Sequence, residues 1–135
     1  MDLRHKEEVL CLALNGYHEA RGQPAKAELM VNQVVLNRLE DERFPRTVCA
    51  VVKQQAGPSK CQFSWVCDRN SDEPRDPEAF TRSIDLASAL LNLRDTLPDL
   101  TAGALYFHRK DKRPRWSRTM RPTAVGGDHV FYAAD

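Results

Sequence analysis

The chain has 135 residues, of which 41% are hydrophobic and 29% charged, a balance that fits one soluble domain with a single modest core. Twenty Lys and Arg against nineteen Asp and Glu leave a formal charge of +1, which excludes a strong whole-molecule field for a charged partner. No apolar run approaches the ~20 residues of a membrane-spanning helix.

In chain order, Val9, Leu12, Ala13 and Gly16 recur at helical spacing and predict a first helix over 5–20. Gly22 stops it, and Pro24 suits the first turn of a second helix over 25–40. Ala27, Met30, Val31, Val34, Val35 and Leu39 form the apolar stripe of that helix. "FPRTVCAVVKQ" predicts a short third helix capped by Thr47. From Gln55 to Pro77 the chain is polar and irregular apart from "QFSWVC". A long helix is expected over 77–94, with Ala79, Ile84, Ala87, Leu90 and Leu91 inward. The period then changes: "ALYFH" at 104–108 reads as a strand, and 123–132 as two strands joined by a glycine turn. The expectation is one α+β domain over 1–135, a helical body with a small C-terminal antiparallel sheet.

Residues 109–121 hold seven Lys or Arg and one Asp, with Pro114 and Pro122, and read as an exposed basic loop suited to a polyanion. The opening "MDLRHKEEVL" has no apolar core of a secretory leader, so the chain is expected to be made in the cytoplasm. Of the four cysteines, Cys11 falls on the first apolar stripe and reads as a small buried hydrophobe. Two of Cys49, Cys61 and Cys67 would bridge in an oxidising compartment. Their spacing lacks a second zinc-knuckle pair, so no structural metal is expected.

One polar residue is out of place. Glu19 lies seven residues after Leu12 and three after Gly16, on the stripe that the helix should bury. Pairing with Arg21 would be an ordinary reason. A carboxylate at a helix-to-loop junction, partly desolvated, is also what a general acid requires, because burial raises its pKa toward neutrality. Gln62, Phe63, Trp65 and Tyr106 add flat apolar faces and amide groups in irregular segments, which suit sugar rings. His18 beside Glu19 is not a zinc-protease signature, because position 22 is Gly rather than a second His.

"YHEARGQP", "QVVLNRL", "FPRTVCAVV", "QFSWVCD", "ALYFH" and "TAVGGDHVFY" together resemble, in the same order, the SleB-like cell wall hydrolases: spore-cortex-lytic enzymes and their relatives in other bacteria and phages. The resemblance spans about residues 8–132. It implies a lysozyme-like helical fold close to lytic transglycosylases and resuscitation-promoting factors, with a small added sheet. It also implies cleavage of peptidoglycan between N-acetylmuramic acid and N-acetylglucosamine, with Glu19 as the catalytic glutamate. Many members read E-A-R-G-E where this chain has Gln23; a position beyond the helix break is given no chemical role. Expected substrate contacts are Gln62 and Ser64, sharing a side if "QFSW" is extended, with Trp65, Tyr106 and Asp68, the last being the candidate second carboxylate. Asn37 and Arg38 are expected to tie the second helix to neighbouring loops. No cofactor or metal is expected, and the chain is read as a monomeric phage or prophage endolysin, held in the host cytoplasm until it is released to the periplasm and wall. Competing readings are a zinc-dependent peptidoglycan amidase or peptidase and a nucleic-acid-binding module using 109–121.

Overall fold

The computed structural model describes residues 2–57, 60–68 and 72–134. Asp2 caps the first helix, α1 (Leu3–Glu19), by accepting the amide of His5 at 2.9 Å. Gly22 then takes a φ of 79°, a left-handed turn open to glycine that redirects the chain into α2 (Ala25–Leu39). Gly16 has a different purpose. A Cβ there would meet Asn32 Nδ2 and Glu28 Cγ at 2.8 Å, so its absence lets α1 and α2 approach closely.

Thr47 caps α3 (Val48–Val52) as expected, accepting the amide of Ala50 at 3.1 Å. The segment expected to be irregular instead holds a small antiparallel pair, β1 (Gln55–Gly57) and β2 (Lys60–Cys61), followed by one helical turn, α4 (Ser64–Cys67). Asp76 caps the long α5 (Pro77–Leu93), which packs along α1. The main core joins Leu12, Val35, Val48, Val51, Val52, Phe63, Trp65 and Leu90 from these helices.

Cys11 is bonded to Cys49, which fastens α1 to α3, and Cys61 is bonded to Cys67, which closes the loop before and through α4. The reading of Cys11 as a small buried hydrophobe is therefore right about its burial but missed its bond to Cys49. Its place on the apolar stripe is right, but the packing of α1 on α3 brings it to Cys49. The chain contains no free cysteine.

Three strands finish the domain: β3 (Tyr106–Arg109), β4 (Arg121–Gly126) and β5 (His129–Ala133), antiparallel in the order β3-β5-β4. Pro122 sits on edge strand β4, where the missing N–H is tolerated, beside a register shift between Pro122 and Ala124. Phe131 from β5 buries against Met30, Val31 and Val34 of α2. The segment between α5 and β3 is held by α2. Asn37 Nδ2 donates to Asp99, Thr101 and the Ala104 carbonyl, and Arg38 Nε donates to the Leu105 carbonyl at 2.8 Å. The expected tie between the "VLNR" helix and its neighbouring loop is thus present, and it fixes where β3 begins. Among the described residues no helix is long and apolar enough to cross a membrane.

Candidate active site

The last residue of α1 opens into a cleft of about 1110 Å³. Glu19 contributes from α1 and Arg38 from α2, and Gln62, Phe63 and Ser64 from the loop entering α4 and its first turn. Tyr106, His108 and Arg109 come from β3, and Lys112, Arg113, Pro114 and Trp116 from the basic segment. Among the described lining residues Glu19 is the sole carboxylate.

Glu19 is partly buried, and its carboxylate enters none of the ion pairs among the described residues. Burial pushes its pKa from 4.5 up to about 7, while the guanidinium groups of Arg109 and then Arg38 pull in the other direction. The ordinary reading, a pair with Arg21, does not occur: the Arg21 guanidinium lies over the Tyr17 ring at 5.0 Å. A carboxyl that is half protonated near neutrality and faces an open cleft is equipped to give and take a proton.

Arg38, expected only to tie the second helix to neighbouring loops, also lines the cleft beside Glu19. It is 3% exposed, with its guanidinium over Phe44, Phe63 and Tyr106 at 4.7, 5.2 and 5.3 Å. Burial lowers its pKa to about 10, and its Nη1 has no hydrogen-bond partner among the described residues. This leaves a cation at the cleft lining whose charge meets aromatic faces and acts on Glu19. His129 is fully buried. Burial first, then the Arg109 guanidinium, push its pKa below the ordinary imidazole value. Its ring packs edge-on to Phe107 at 5.4 Å, and neither ring nitrogen has a hydrogen-bond partner among the described residues.

The expected substrate contacts divide. Gln62, Ser64 and Tyr106 line the cleft with Glu19. Gln62 and Ser64 do so from a bend and the first turn of α4, not from an extended strand. Trp65 does not line it. The indole is 8% exposed, donates Nε1–H to Asn15 Oδ1 at 3.2 Å, and stacks on His18 at 4.7 Å. Asn15 in turn donates to Asn32 at 3.3 Å, so Trp65 belongs to a buried polar chain linking α1, α2 and α4. Asp68 is the C-cap of α4 and also lies outside the cleft lining.

The tryptophan that does line the cleft is Trp116, within the 3-10 turn Arg115–Arg118. It packs on Tyr106, His108 and Tyr132 with centroids at 5.6, 5.7 and 5.3 Å. The register Tyr106↔Tyr132 makes that bed, and His108 Nε2 meets the Tyr132 hydroxyl at 2.8 Å. The basic segment is therefore no free loop but one wall of the cleft. A signal was present in the sequence: a Trp flanked by prolines in a basic run is rarely left in solvent.

The sequence profile of the cell wall hydrolase family matches residues 22–132. The chain belongs to the cell wall hydrolase family. That match starts three residues past Glu19, whereas structural similarity extends over the helix that carries it. The catalytic domain of the germination-specific lytic transglycosylase SleB from Bacillus anthracis is 24% identical, with a TM-score of 0.71 over 98% of this chain and 96% of that one. The catalytic domain of the Bacillus cereus SleB protein is 25% identical, with a TM-score of 0.69 over 94% and 90%. No curated protein matches the chain. This cell wall hydrolase has the α+β fold expected from its sequence, a lysozyme-like helical body with a small antiparallel sheet.

Proposed function

We propose that this cell wall hydrolase cleaves peptidoglycan glycan strands between N-acetylmuramic acid and N-acetylglucosamine with Glu19 as its only proton-transferring carboxylate. The observation that carries this is a carboxyl with a pKa of about 7, the single one among the described lining residues of a cleft whose other charged groups are cations. Enzymes that activate water directly place two carboxylates across the bond, and Asp68 is not among the lining residues. A lytic transglycosylase needs one. Protonated Glu19 gives its proton to the glycosidic oxygen as the bond to C1 of muramic acid breaks. The N-acetyl oxygen of the substrate stabilises the positive C1. The Glu19 carboxylate then removes the proton of the C6 hydroxyl, whose oxygen closes on C1 as an anhydro ring. The proton returns to Glu19, and no water is consumed. A pKa near 7 serves both halves of this cycle, since neither protonation state is costly at neutral pH. Gln62, Ser64 and Tyr106 hold sugar hydroxyl and acetamido groups in this scheme and Trp116 stacks on a sugar face, a reading supported by their lining the cleft with Glu19. The SleB domain of Bacillus anthracis, described as a lytic transglycosylase, supports the same reading.

Mass spectrometry of the fragments released from purified sacculi tests it. Products lighter by one water than the hydrolytic muropeptides are expected; fully hydrated products would refute the one-carboxylate scheme. Intact glycan with cut peptide stems would instead show an amidase or peptidase.

We further propose that the protein works as a monomeric endolysin, accumulating in a host cytoplasm and reaching the wall once the inner membrane is breached. Two disulfides suit an enzyme whose working place is oxidising. Expression in a Gram-negative cell should give lysis only after a membrane-permeabilising agent is added. Spontaneous lysis would overturn this placement.

A further inference from the structure

We propose that the cleft selects glycan strands that still carry acidic stem peptides, reading the free carboxylates of those peptides through Lys112 and Arg113. The inference deepens the cleavage reading and rests on it.

Among the described residues five cationic side chains line the cleft, Arg38, Arg43, Arg109, Lys112 and Arg113, against the one carboxylate of Glu19. Their charges are not equivalent. Arg43 is held in a two-point pair with Asp41, at 2.9 Å through Nε and 2.7 Å through Nη2. Arg109 is paired with Asp111 at 3.4 Å. Arg38 is buried and acts on Glu19. Lys112 and Arg113 are exposed and enter no ion pair among the described residues. They are the charges that await a counter-ion.

The turn that presents them is fastened on both sides. Lys110 donates its amide to the Asp128 carbonyl at 2.8 Å, and Lys112 its amide to the Arg109 carbonyl at 3.1 Å. Ser117 donates to the Pro114 carbonyl at 2.7 Å, and Trp116 is seated on Tyr106, His108 and Tyr132. Cations on a fixed turn bind an anion with less ordering cost than cations on a free tail.

A glycan of N-acetylglucosamine alone is neutral and offers these groups nothing. Muramic acid, the sugar whose C1 is attacked, bears on the same ring a lactyl-linked peptide with free carboxylates. A strand seated with its scissile bond at Glu19 therefore carries its anions to the wall of the cleft rather than away from it. A nucleic-acid face would spread its cations over an open surface; here they converge on the cleft that holds the reacting carboxyl.

The test uses the full chain carrying Glu19→Gln, so that ligands are bound and not consumed. Calorimetric titration compares one soluble muropeptide oligosaccharide in two forms: with free peptide carboxylates and with those carboxylates amidated. Amidation should weaken binding about tenfold at low salt, the effect of two exposed charge pairs. The gap should close as salt screens it. Lys112→Gln with Arg113→Gln in the same chain should make the two forms bind alike. The amidation comparison reads the same contact without any further substitution, so a poorly folded double variant does not remove the test. Equal affinity for the two forms would overturn the proposal, as would tighter binding to a teichoic acid or DNA than to the acidic form. With Glu19 intact, equal cleavage of both would overturn the selection alone, and cleavage of neither would overturn the cleavage reading as well.

Discussion

Exchanging Glu19 for Gln should move activity and stability in opposite directions. Burial raises the Glu19 carboxyl from 4.5 to about 7 in the folded protein, while the unfolded chain releases the same proton near its ordinary value. Between those two pH values the folded state holds a proton that the unfolded state has lost. Stability therefore falls as the pH rises through that window and stays reduced above it. At about 1.4 kcal/mol per pKa unit, the full difference is on the order of 3 kcal/mol. Glu19 is partly open to the cleft, so solvent screening reduces this to about 1–2 kcal/mol. Gln keeps the shape and has no proton to lose. The Glu19→Gln protein should match the parent at pH 4 and exceed it by about 1–2 kcal/mol at pH 8, a rise in Tm of several degrees for a domain of this size. Its activity should fall by at least roughly 10²–10⁴-fold. Thermal unfolding from pH 4 to 8, beside turbidity clearing of sacculi, measures both. A variant that clears sacculi at the parent rate, or a stability difference that does not grow with pH, would refute the reasoning.

Arg109→Gln removes the cation that most lowers the Glu19 pKa, so the alkaline limb of kcat/KM should move to higher pH; an unmoved limb would separate Arg109 from Glu19. Gln23→Glu should remain active, but Gln23 is clamped to Asp128 by two hydrogen bonds of 2.8 and 2.9 Å, and a second carboxylate there should cost about 1–3 kcal/mol in urea unfolding. Adding Asp128→Asn should recover much of that loss, and a double variant no better than the single one would contradict the clamp. Opening Cys11–Cys49 by paired alanine substitutions should cost about 4 kcal/mol from loop entropy over its separation of 38 residues, against about 2 kcal/mol for Cys61–Cys67 over 6, both read from denaturant midpoints.

The helices were legible because their signals are local. Apolar spacing located α1, α2 and α5, and Thr47 marked the start of α3. Glu19 stood out by the same rule, as the one acidic position on a stripe of buried residues. Cysteine pairing was not local. Cys11 and Cys49 meet only because α1 lies on α3, and a cysteine on a buried stripe satisfies the apolar pattern whether or not it is bonded. The pair β1 and β2 spans only a few residues, too few for an alternation to show.

The two tryptophans show what else a linear reading lacks. Trp65, in an irregular segment rich in amides, looked like a sugar platform, whereas Trp116, in a cationic run, looked solvated. The Trp65 indole lies in the core and the Trp116 ring on the cleft, and the reason lies beneath each ring. Asn15 supplies a buried acceptor for the Trp65 N–H, and His18 supplies a face, so that indole is satisfied inside the core. Under Trp116 the strand register brings Tyr106 beside Tyr132, and an indole set on that bed keeps one side toward the cleft. The same register accounts for the charge. A net value of +1 is an average that conceals segregation. Antiparallel pairing of β3 with β5 carries Arg109 to the rim, and the turn that follows must travel along the cleft before β4 begins, taking Lys112 and Arg113 with it. A nearly neutral chain thereby presents its reacting carboxyl inside a locally cationic wall, the arrangement on which the preference for acidic strands depends.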